Sequence, residues 1–275
     1  MKAVCQICMH HCSLEPGQTG FCRARKNEAG TIVCDNYGQV TSLALDPIEK
    51  KPLRMFYPGS MILSVGSYGC NLRCPFCQNY EISMTGRKET HAVYLSPEDL
   101  AAEAIAYKGE GNIGVAYTYN EPLVGWEYVR DTARLVRKAG MKNVVVTNGM
   151  ASMEVLEELL PWTDAMNIDL KGFSEAYYAG LSGSFQAVKD GIAKASQACH
   201  VELTTLIVPG ENDDAALMEE EARWIASLDK AIPLHVTRFF PRYQKKNVKE
   251  TDVQTVCFLA EKAKKYLDYV FIGNC

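Results

Sequence analysis

No run of this 275-residue chain reaches the ~18 consecutive apolar residues that a membrane-spanning helix needs. Its first residues, Met1-Lys2-Ala3-Val4-Cys5, lack the apolar core of a secretory signal. A cytoplasmic protein with no membrane association is expected. A basic excess is missing too: 29 lysines and arginines stand against 33 acids, a net charge of −4, which argues against a general nucleic-acid binder. Low-complexity stretches and internal repeats are absent, and 47% of the residues are hydrophobic, so a mainly disordered chain is excluded. Structural disulfides are disfavoured in a reducing compartment. Eleven cysteines therefore need another reason, and eight of them, Cys5, Cys8, Cys12, Cys22, Cys34, Cys70, Cys74 and Cys77, fall before residue 78. Such crowding favours metal or cluster ligation.

From about residue 60 onward, short β-branched apolar runs alternate with amphipathic stretches at a spacing of roughly thirty residues, the pattern of repeated βα units. Strands are expected at 61–68, 113–118, 143–147, 165–170, 201–208, 234–240 and 269–272. The intervening helices carry their own punctuation: Ser96-Pro97-Glu98-Asp99 provides a cap, a proline at the first helical position and early acids. Val129, Ala133 and Val136 share one face before Gly140 offers a left-handed stop. Leu217, Trp224, Ile225 and Leu228 form another core stripe, as do Val256, Leu259, Ala263 and Leu267. The fold class expected is α/β, a partial (β/α)6-type TIM barrel of parallel strands over 59–275. Residues 1–58 read as a small cysteine-rich module with a hairpin, 31–35 against 39–45 around Gly38. Pro47, Pro52 and Pro58 punctuate an extended connection into the first barrel strand.

The run Ser67-Tyr68-Gly69-Cys70-Asn71-Leu72-Arg73-Cys74-Pro75-Phe76-Cys77-Gln78-Asn79 follows directly on that strand and contains C-x3-C-x2-C. Three thiolates at this spacing can wrap one corner of a [4Fe–4S] cubane, each on its own iron, leaving the fourth iron without a protein ligand. An open metal position is where substrate chemistry becomes possible, and active sites of parallel barrels collect at the carboxyl ends of the strands. A zinc site or three incidental buried thiols is the bland alternative, although structural zinc takes four protein ligands.

With Phe76 in the slot before the last cysteine, the loop resembles the C-x3-C-x-aromatic-C hallmark of radical S-adenosylmethionine (SAM) enzymes. The resemblance implies that Cys70, Cys74 and Cys77 hold a [4Fe–4S] cluster whose open iron chelates SAM. One electron then cleaves the sulfonium bond, and a 5′-deoxyadenosyl radical takes hydrogen from a substrate. It extends to Tyr117-Thr118-Tyr119-Asn120-Glu121, where the superfamily usually has Gly-Gly-Glu and Glu121 would accept from the SAM ammonium group; an acid at a helix start is the other reading. Asn148 resembles a residue near the ribose, Asp169-Leu170-Lys171 resembles the Asp-Leu-Lys of glycyl-radical-enzyme activases, and Val208-Pro209-Gly210 resembles the motif bordering adenine. A plain turn at Asn148 or Val208, and a structural ion pair at Asp169 and Lys171, remain open. Where the activase pattern has an aspartate, this chain has Val146, and no ferredoxin-like insertion follows Cys77.

Cys5-Gln6-Ile7-Cys8, Gly20-Phe21-Cys22, Asp46-Pro47-Ile48-Glu49-Lys50-Lys51-Pro52-Leu53, Cys77-Gln78-Asn79 and Arg238-Phe239-Phe240-Pro241 resemble one subgroup, the radical enzyme of the AmmeMemoRadiSam system, related to pyruvate formate-lyase activating enzymes. Contacts to SAM are thus expected from Phe76, Asn79, Tyr119, Asn120, Glu121, Asn148, Asp169, Lys171, Val208 and His235, the last from the barrel mouth or paired instead with an acid, as for Arg238.

Cys5, Cys8, Cys12 and Cys22 give C-x2-C-x3-C-x9-C, enough to close a coordination sphere around a second [4Fe–4S] cluster or a Zn2+ ion. His10 or His11 can replace one thiolate, while Cys34, Cys199 and Cys257 read as packed. An electron donor of the flavodoxin or ferredoxin kind is expected, docking near Lys245 and Lys246 in the stretch 242–246, which reads otherwise as a solvated loop. The substrate is a small molecule or a protein of the glycyl-radical or AmmeMemo kind. The rival class is an iron–sulfur electron carrier or zinc-stabilised interaction protein that leaves SAM intact.

Overall fold

The computed structural model describes residues 1–275. The chain opens with two-residue strands β1 (Ala3–Val4) and β2 (Ser13–Leu14), then an antiparallel hairpin of β3 (Arg25–Glu28) and β4 (Thr31–Cys34). Next come β5 (Gln39–Val40), β6 (Ser42–Pro47), β7 (Met61–Gly66), α1 (Tyr80–Ser83), β8 (Val93–Tyr94) and α2 (Pro97–Ala106). The remainder alternates: β9 (Asn112–Tyr117), α3 (Trp126–Lys138), β10 (Lys142–Thr147), α4 (Met153–Leu159), β11 (Ala165–Asp169), α5 (Glu175–Gly180), α6 (Phe185–Ala195), β12 (His200–Ile207), α7 (Ala215–Asp229), β13 (Leu234–Arg238), α8 (Val253–Ala263) and β14 (Val270–Gly273).

All seven expected parallel strands form, and they lie in one sheet in sequence order, β7-β9-β10-β11-β12-β13-β14, each joined to the next by a helical crossover. The first ends at Gly66 rather than at residue 68 because the Ser67 N–H goes to the Asn120 side chain, 2.9 Å away, instead of to a neighbouring strand. An antiparallel strand, β6, adds to the free side of β7.

That pairing corrects the expected hairpin. Strand β4 folds back on β3 across Ala29 and Gly30, both at positive φ, the geometry a two-residue hairpin needs. Gly38 does turn the chain at φ +68°, but β5 pairs with β8 and β6 with β7. The main sheet therefore begins at Ser42, across the boundary expected at residue 58.

Alternation along the strands sorts the core. Leu63, Val65, Val115, Val145, Ile168, Leu203 and Val236 face the helices in the principal cluster. On the other face Ile62, Ala116, Val144 and Ala165 pack against Ile48, Leu53 and Phe56 from the connection before β7, which plugs the barrel floor. Side-chain caps close the helices: Ser96 accepts from Asp99 N, Ser184 from Ala187 N, Asp214 from Ala216 N and Leu217 N, and Asp252 from Gln254 N. The buried stripe of α7 is Met218, Ala222 and Ile225 with Glu221 among them; Leu217, Trp224 and Leu228 flank it half-buried. No helix is long and apolar enough to cross a membrane.

Candidate functional site

Residues 67–79 leave β7 at its carboxyl end, and backbone contacts fix their path. Asn120 donates to the Tyr68 and Gly69 carbonyls, both at 3.1 Å, and Glu121 N–H donates to Gly69 O at 3.3 Å. Gly69 sits at φ +88°, where a side chain is strained, and a Cβ there would lie 2.5 Å from the Cys22 carbonyl oxygen. That close approach lets Cys70 N–H donate to Cys22 O at 3.1 Å. Arg73 stacks on the Phe21 ring at 3.7 Å, donates to Phe21 O, and returns to the loop at Cys70 O (3.1 Å) and Leu72 O (2.8 Å).

Cys74 and Phe76 are buried, Cys70 and Cys77 partly so. Burial pushes the Cys74 thiol up to about 12 and holds Cys70 and Cys77 above the ordinary thiol range. Left to itself the loop carries protonated thiols; a bound metal centre takes their protons' place and supplies the charge that burial withholds. Against burial, the Lys171 ammonium lowers both Cys74 and Cys77, and Asn148 Nδ2 lies 3.8 Å from Cys70 Sγ. Soft donors with a cation and an amide beside them fit an anionic iron–sulfur centre. No three cysteine, histidine, aspartate or glutamate side chains converge on one point as ligands of a single ion do; thiolates that each bind a separate iron need not converge.

Around the loop, the structure brings together Glu121, Asn148, Asp169 and Lys171. Glu121 is buried with both oxygens engaged: Oε1 accepts from Thr147 Oγ1 (2.7 Å) and Leu123 N (3.0 Å), Oε2 from Asn148 N (2.8 Å). Burial pushes its carboxyl up to about 7 despite those donors. It caps the short turn of helix at Pro122 and ties the ends of β9 and β10 together. Asn148 donates on to Asn71 Oδ1 at 2.7 Å, and Asn71 O lies 2.8 Å from His10 Nε2. Asn71 and Thr147 were missed from sequence, although each adjoins a residue that was singled out. Asp169 and Lys171 pair at 2.7 Å and keep 31% and 18% of their side chains exposed, so both can still meet a ligand.

Other expected contacts point elsewhere. Tyr119 adopts φ +71°, its ring lies on Gly66, and its hydroxyl donates to Asp46 Oδ2 (2.7 Å), which also pairs with buried Lys51 (2.9 Å). Asn120 is spent on the loop backbone, and Asn79 holds Tyr119 O at 2.7 Å. Val208 is buried, its N–H donating to Asn212 Oδ1 at 2.7 Å. Of the two places expected for His235, the mouth is corrected and the pairing with an acid is found: it lies inside the barrel with Nε2 2.6 Å from Glu202 Oε2, and Glu202 also accepts from Arg54 N and Met55 N of the floor. Since that floor packs at the amino ends of the strands, His235 belongs to it and not to the mouth. Arg238, at the other end of the same strand and partly exposed, donates to Thr251 O at 2.6 Å and lies 3.7 Å from Glu250, the acid pairing that was its other expected role. Lys245 pairs with Glu211, and its loop is not free: Gln244 N–H donates to Pro75 O at 2.9 Å and Tyr243 stacks on Tyr80 at 4.7 Å.

The four amino-terminal cysteines lie against this site, with Cys5, Cys8 and Cys22 buried. His10 stacks on Phe21 at 4.0 Å and exposed His11 meets Gln6 at 3.0 Å. Cys34, Cys199 and Cys257 are half-buried, the first two hydrogen-bonded within the protein.

The sequence profile of the Radical SAM superfamily matches residues 64–220, more than half of the chain, a span that holds the cysteine loop, Glu121, Asn148, Asp169 and Lys171. The chain belongs to the radical SAM superfamily. This radical SAM protein is 38% identical over 276 aligned residues to an uncharacterised protein of Methanocaldococcus jannaschii, covering 99% of this chain and 81% of the relative. It is 31% identical over 180 residues to the pyruvate formate-lyase 1-activating enzyme of Escherichia coli K12, covering 61% and 71%. Among solved structures, a radical SAM methyltransferase from Sphaerobacter thermophilus shares the fold, with 17% identity and a TM-score of 0.57 over 79% of this chain and 67% of that one.

Proposed function

We propose that this protein cleaves SAM reductively at a [4Fe–4S] cluster held by Cys70, Cys74 and Cys77, and that the radical so made takes hydrogen from a partner protein of the glycyl-radical kind. The observation that carries the reading is the three-cysteine loop at the carboxyl end of β7, with Lys171 and Asn148 at its sulfurs. When bound, the cluster supplies the electron and an open iron for the amino and carboxylate groups of SAM. The chain's own groups do the rest. Asp169 and Lys171, paired yet partly exposed, meet the polar end of the nucleotide. Glu121 positions the site through Thr147 and Asn148 rather than by direct contact. Asn120 and Asn79 hold the backbone from which Tyr119 turns into the barrel. Buried Phe76 and Val208 keep water from the site's walls.

The protein-substrate choice is supported by the E. coli activating enzyme among the relatives and by Asp169-Leu170-Lys171. A flavodoxin- or ferredoxin-type donor in the cytoplasm fits the need for one low-potential electron. Anaerobic reconstitution followed by dithionite and SAM tests the chemistry: wild type should form 5′-deoxyadenosine and Cys74→Ala should not. Equal turnover in the two proteins, or none in a wild type carrying iron and sulfide, ends the reading and favours an electron carrier. Deuterium from a labelled candidate appearing in 5′-deoxyadenosine identifies the substrate.

A further inference from the structure

We propose that Lys51 and Tyr119, set against Asp46 on the open side of the barrel, form a subsite that takes one backbone amide of the partner protein, the lysine holding its carbonyl oxygen and the tyrosine oxygen its N–H. The proposal rests on the proposed function only in calling the owner of that amide the substrate.

The segment Asp46-Pro47-Ile48-Glu49-Lys50-Lys51-Pro52-Leu53 plugs the barrel floor through Ile48 and Leu53, and its charged residues Asp46 and Lys51 meet above that plug. Lys51 keeps only 3% of its side chain exposed, and its hydrogen-bond partner is Asp46 Oδ2 alone, at 2.9 Å. A lysine carries three N–H donors. The Tyr119 ring, 4.7 Å from Nζ, answers the charge on one side but supplies no acceptor oxygen. Burial at that depth is costly unless the donors are met, so Lys51 is short of an acceptor. Tyr119 has the opposite shortage. Its hydroxyl gives its proton to Asp46 Oδ2 at 2.7 Å, and the neighbouring Ser64 hydroxyl turns its own proton to Ile62 O at 3.3 Å, which leaves the tyrosine oxygen free to accept.

The chain accepts strain to build this arrangement. Tyr119 stands at φ +71°, a region that bulky side chains avoid. Asn79, two residues beyond Cys77, holds its carbonyl at 2.7 Å, and Gly66 makes room, since a Cβ there would lie 2.8 Å from the ring. Burial works against the charge of Asp46, but the bonds from Lys51 and Tyr119 draw its carboxyl down to about 2. Lysine and aspartate therefore cancel inside the barrel, while Lys50, which also reaches Asp46, is 66% exposed and screened by water. A second carboxylate would bring uncompensated charge; a neutral amide offers the one acceptor and one donor that the two side chains lack. The way in is open. The sheet ends at β6 without closing onto β14, and Ala44, directly opposite Ser64 and so on the interior face, is exposed. Asn167 continues the polar lining, donating to Pro52 O at 2.9 Å and accepting from Thr204 at 3.1 Å, where parallel barrels are usually filled by branched apolar side chains.

The test uses the full chain, anaerobically reconstituted and kept oxidised, with isotope-labelled lysine side-chain nitrogens followed by NMR. The resonance missing from Lys51→Arg identifies Lys51. The probes are N-methylacetamide, which has the carbonyl and the N–H of a peptide, N,N-dimethylacetamide, which has the carbonyl alone, and formate, a carboxylate. The expected result is a saturable shift of the Lys51 resonance with N-methylacetamide, roughly fivefold weaker binding of the dimethyl compound, the worth of one hydrogen bond, and weaker binding of formate than of N-methylacetamide. In Tyr119→Phe the two amides should bind equally. No saturable shift with N-methylacetamide, formate as the tighter ligand, or a preference for the secondary amide that survives in Tyr119→Phe overturns the proposal. Should that variant fail to fold, the order of the probes on wild type decides alone. Dithionite and SAM separate the two readings. A wild type that binds the amide at Lys51 but never forms 5′-deoxyadenosine sinks the SAM reading and leaves this one standing, whereas 5′-deoxyadenosine from a protein whose Lys51 ignores the amide does the reverse.

Discussion

Replacing Gly69 with alanine tests how the loop is held. Alanine at φ +88° costs about 1–2 kcal/mol in backbone strain. The new methyl would also stand 2.5 Å from the Cys22 carbonyl oxygen and 3.0 Å from the Ala24 methyl, both on a tightly packed segment. Relief requires the carbonyl to move, and with it goes the Cys70 N–H bond, worth about 1 kcal/mol. The total is roughly 2–4 kcal/mol, and with each kcal/mol lowering Tm by roughly 2–4 °C in a chain of this size the drop should be roughly 5–15 °C. Gly59 is the control: at φ +81° it shares the backbone penalty, but nothing lies within 4 Å of its missing Cβ. Gly59→Ala should therefore show the strain alone, and the difference between the two variants isolates the contact with Cys22. Thermal unfolding and iron content, both measured without oxygen, should show Gly69→Ala less stable and poorer in metal. Equal Tm and equal metal in the two variants would refute the claim that this approach positions Cys70.

Two further outcomes follow from buried charge. Glu221 sits between α7 and β12 with Thr205 Oγ1 as its hydrogen-bond partner, and burial pushes its carboxyl up to about 8. The unfolded chain releases that proton near 4.5, so the folded state binds more protons between the two values. Stability is full below 4.5 and falls as pH rises toward 8, by about 4 kcal/mol. Urea titrations of wild type and Glu221→Gln should diverge over that window, and parallel pH profiles would contradict the assignment. Glu127 accepts two hydrogen bonds from the guanidinium of Arg25, which is 1% exposed, while the glutamate keeps 26% of its side chain in water. Glu127→Ala should cost about 3 kcal/mol, the low end for orphaning a buried cation because one partner is partly wet. Arg25→Met/Glu127→Leu should recover most of the loss in urea unfolding, and a double variant as unstable as the single would argue otherwise.

The barrel strands were legible because a strand buried on both faces reads as an apolar run, and the three-cysteine loop because its spacing survives any tertiary detail. What escaped depended on partners distant in sequence. The pairing of β6 with β7 is invisible locally, since 39–45 alternates equally well for either neighbour, and Ala29-Gly30 is a weaker turn signal than Gly38. His235 carried the right chemistry at the wrong end, because a strand's sequence does not say how far along the barrel axis each residue falls once the strands are staggered. Glu121 takes the helix-start place that was its other reading, and the hydroxyl and amide that also occupy its oxygens come from the end of β10 and the loop after it. The rotation of the α7 stripe has a similar cause: Glu221 reads as solvent-facing until Thr205 is placed beneath it.

Because all seven principal strands run one way, the helix of every crossover must run the other. The amino termini of α2, α3, α4, α6, α7 and α8 thus share the rim where the cysteine loop emerges. Each brings the positive pole of its peptide dipoles, and at five of the six the chain sets its own carboxylate against that pole: Glu98 and Asp99 on α2, Glu127 on α3, Glu154 on α4, Asp214 on α7 and Asp252 on α8. Dissolved salt, which screens charges farther apart than ~10 Å at 0.1 M, should therefore disturb these helix ends little, since pole and carboxylate stand within one turn of each other.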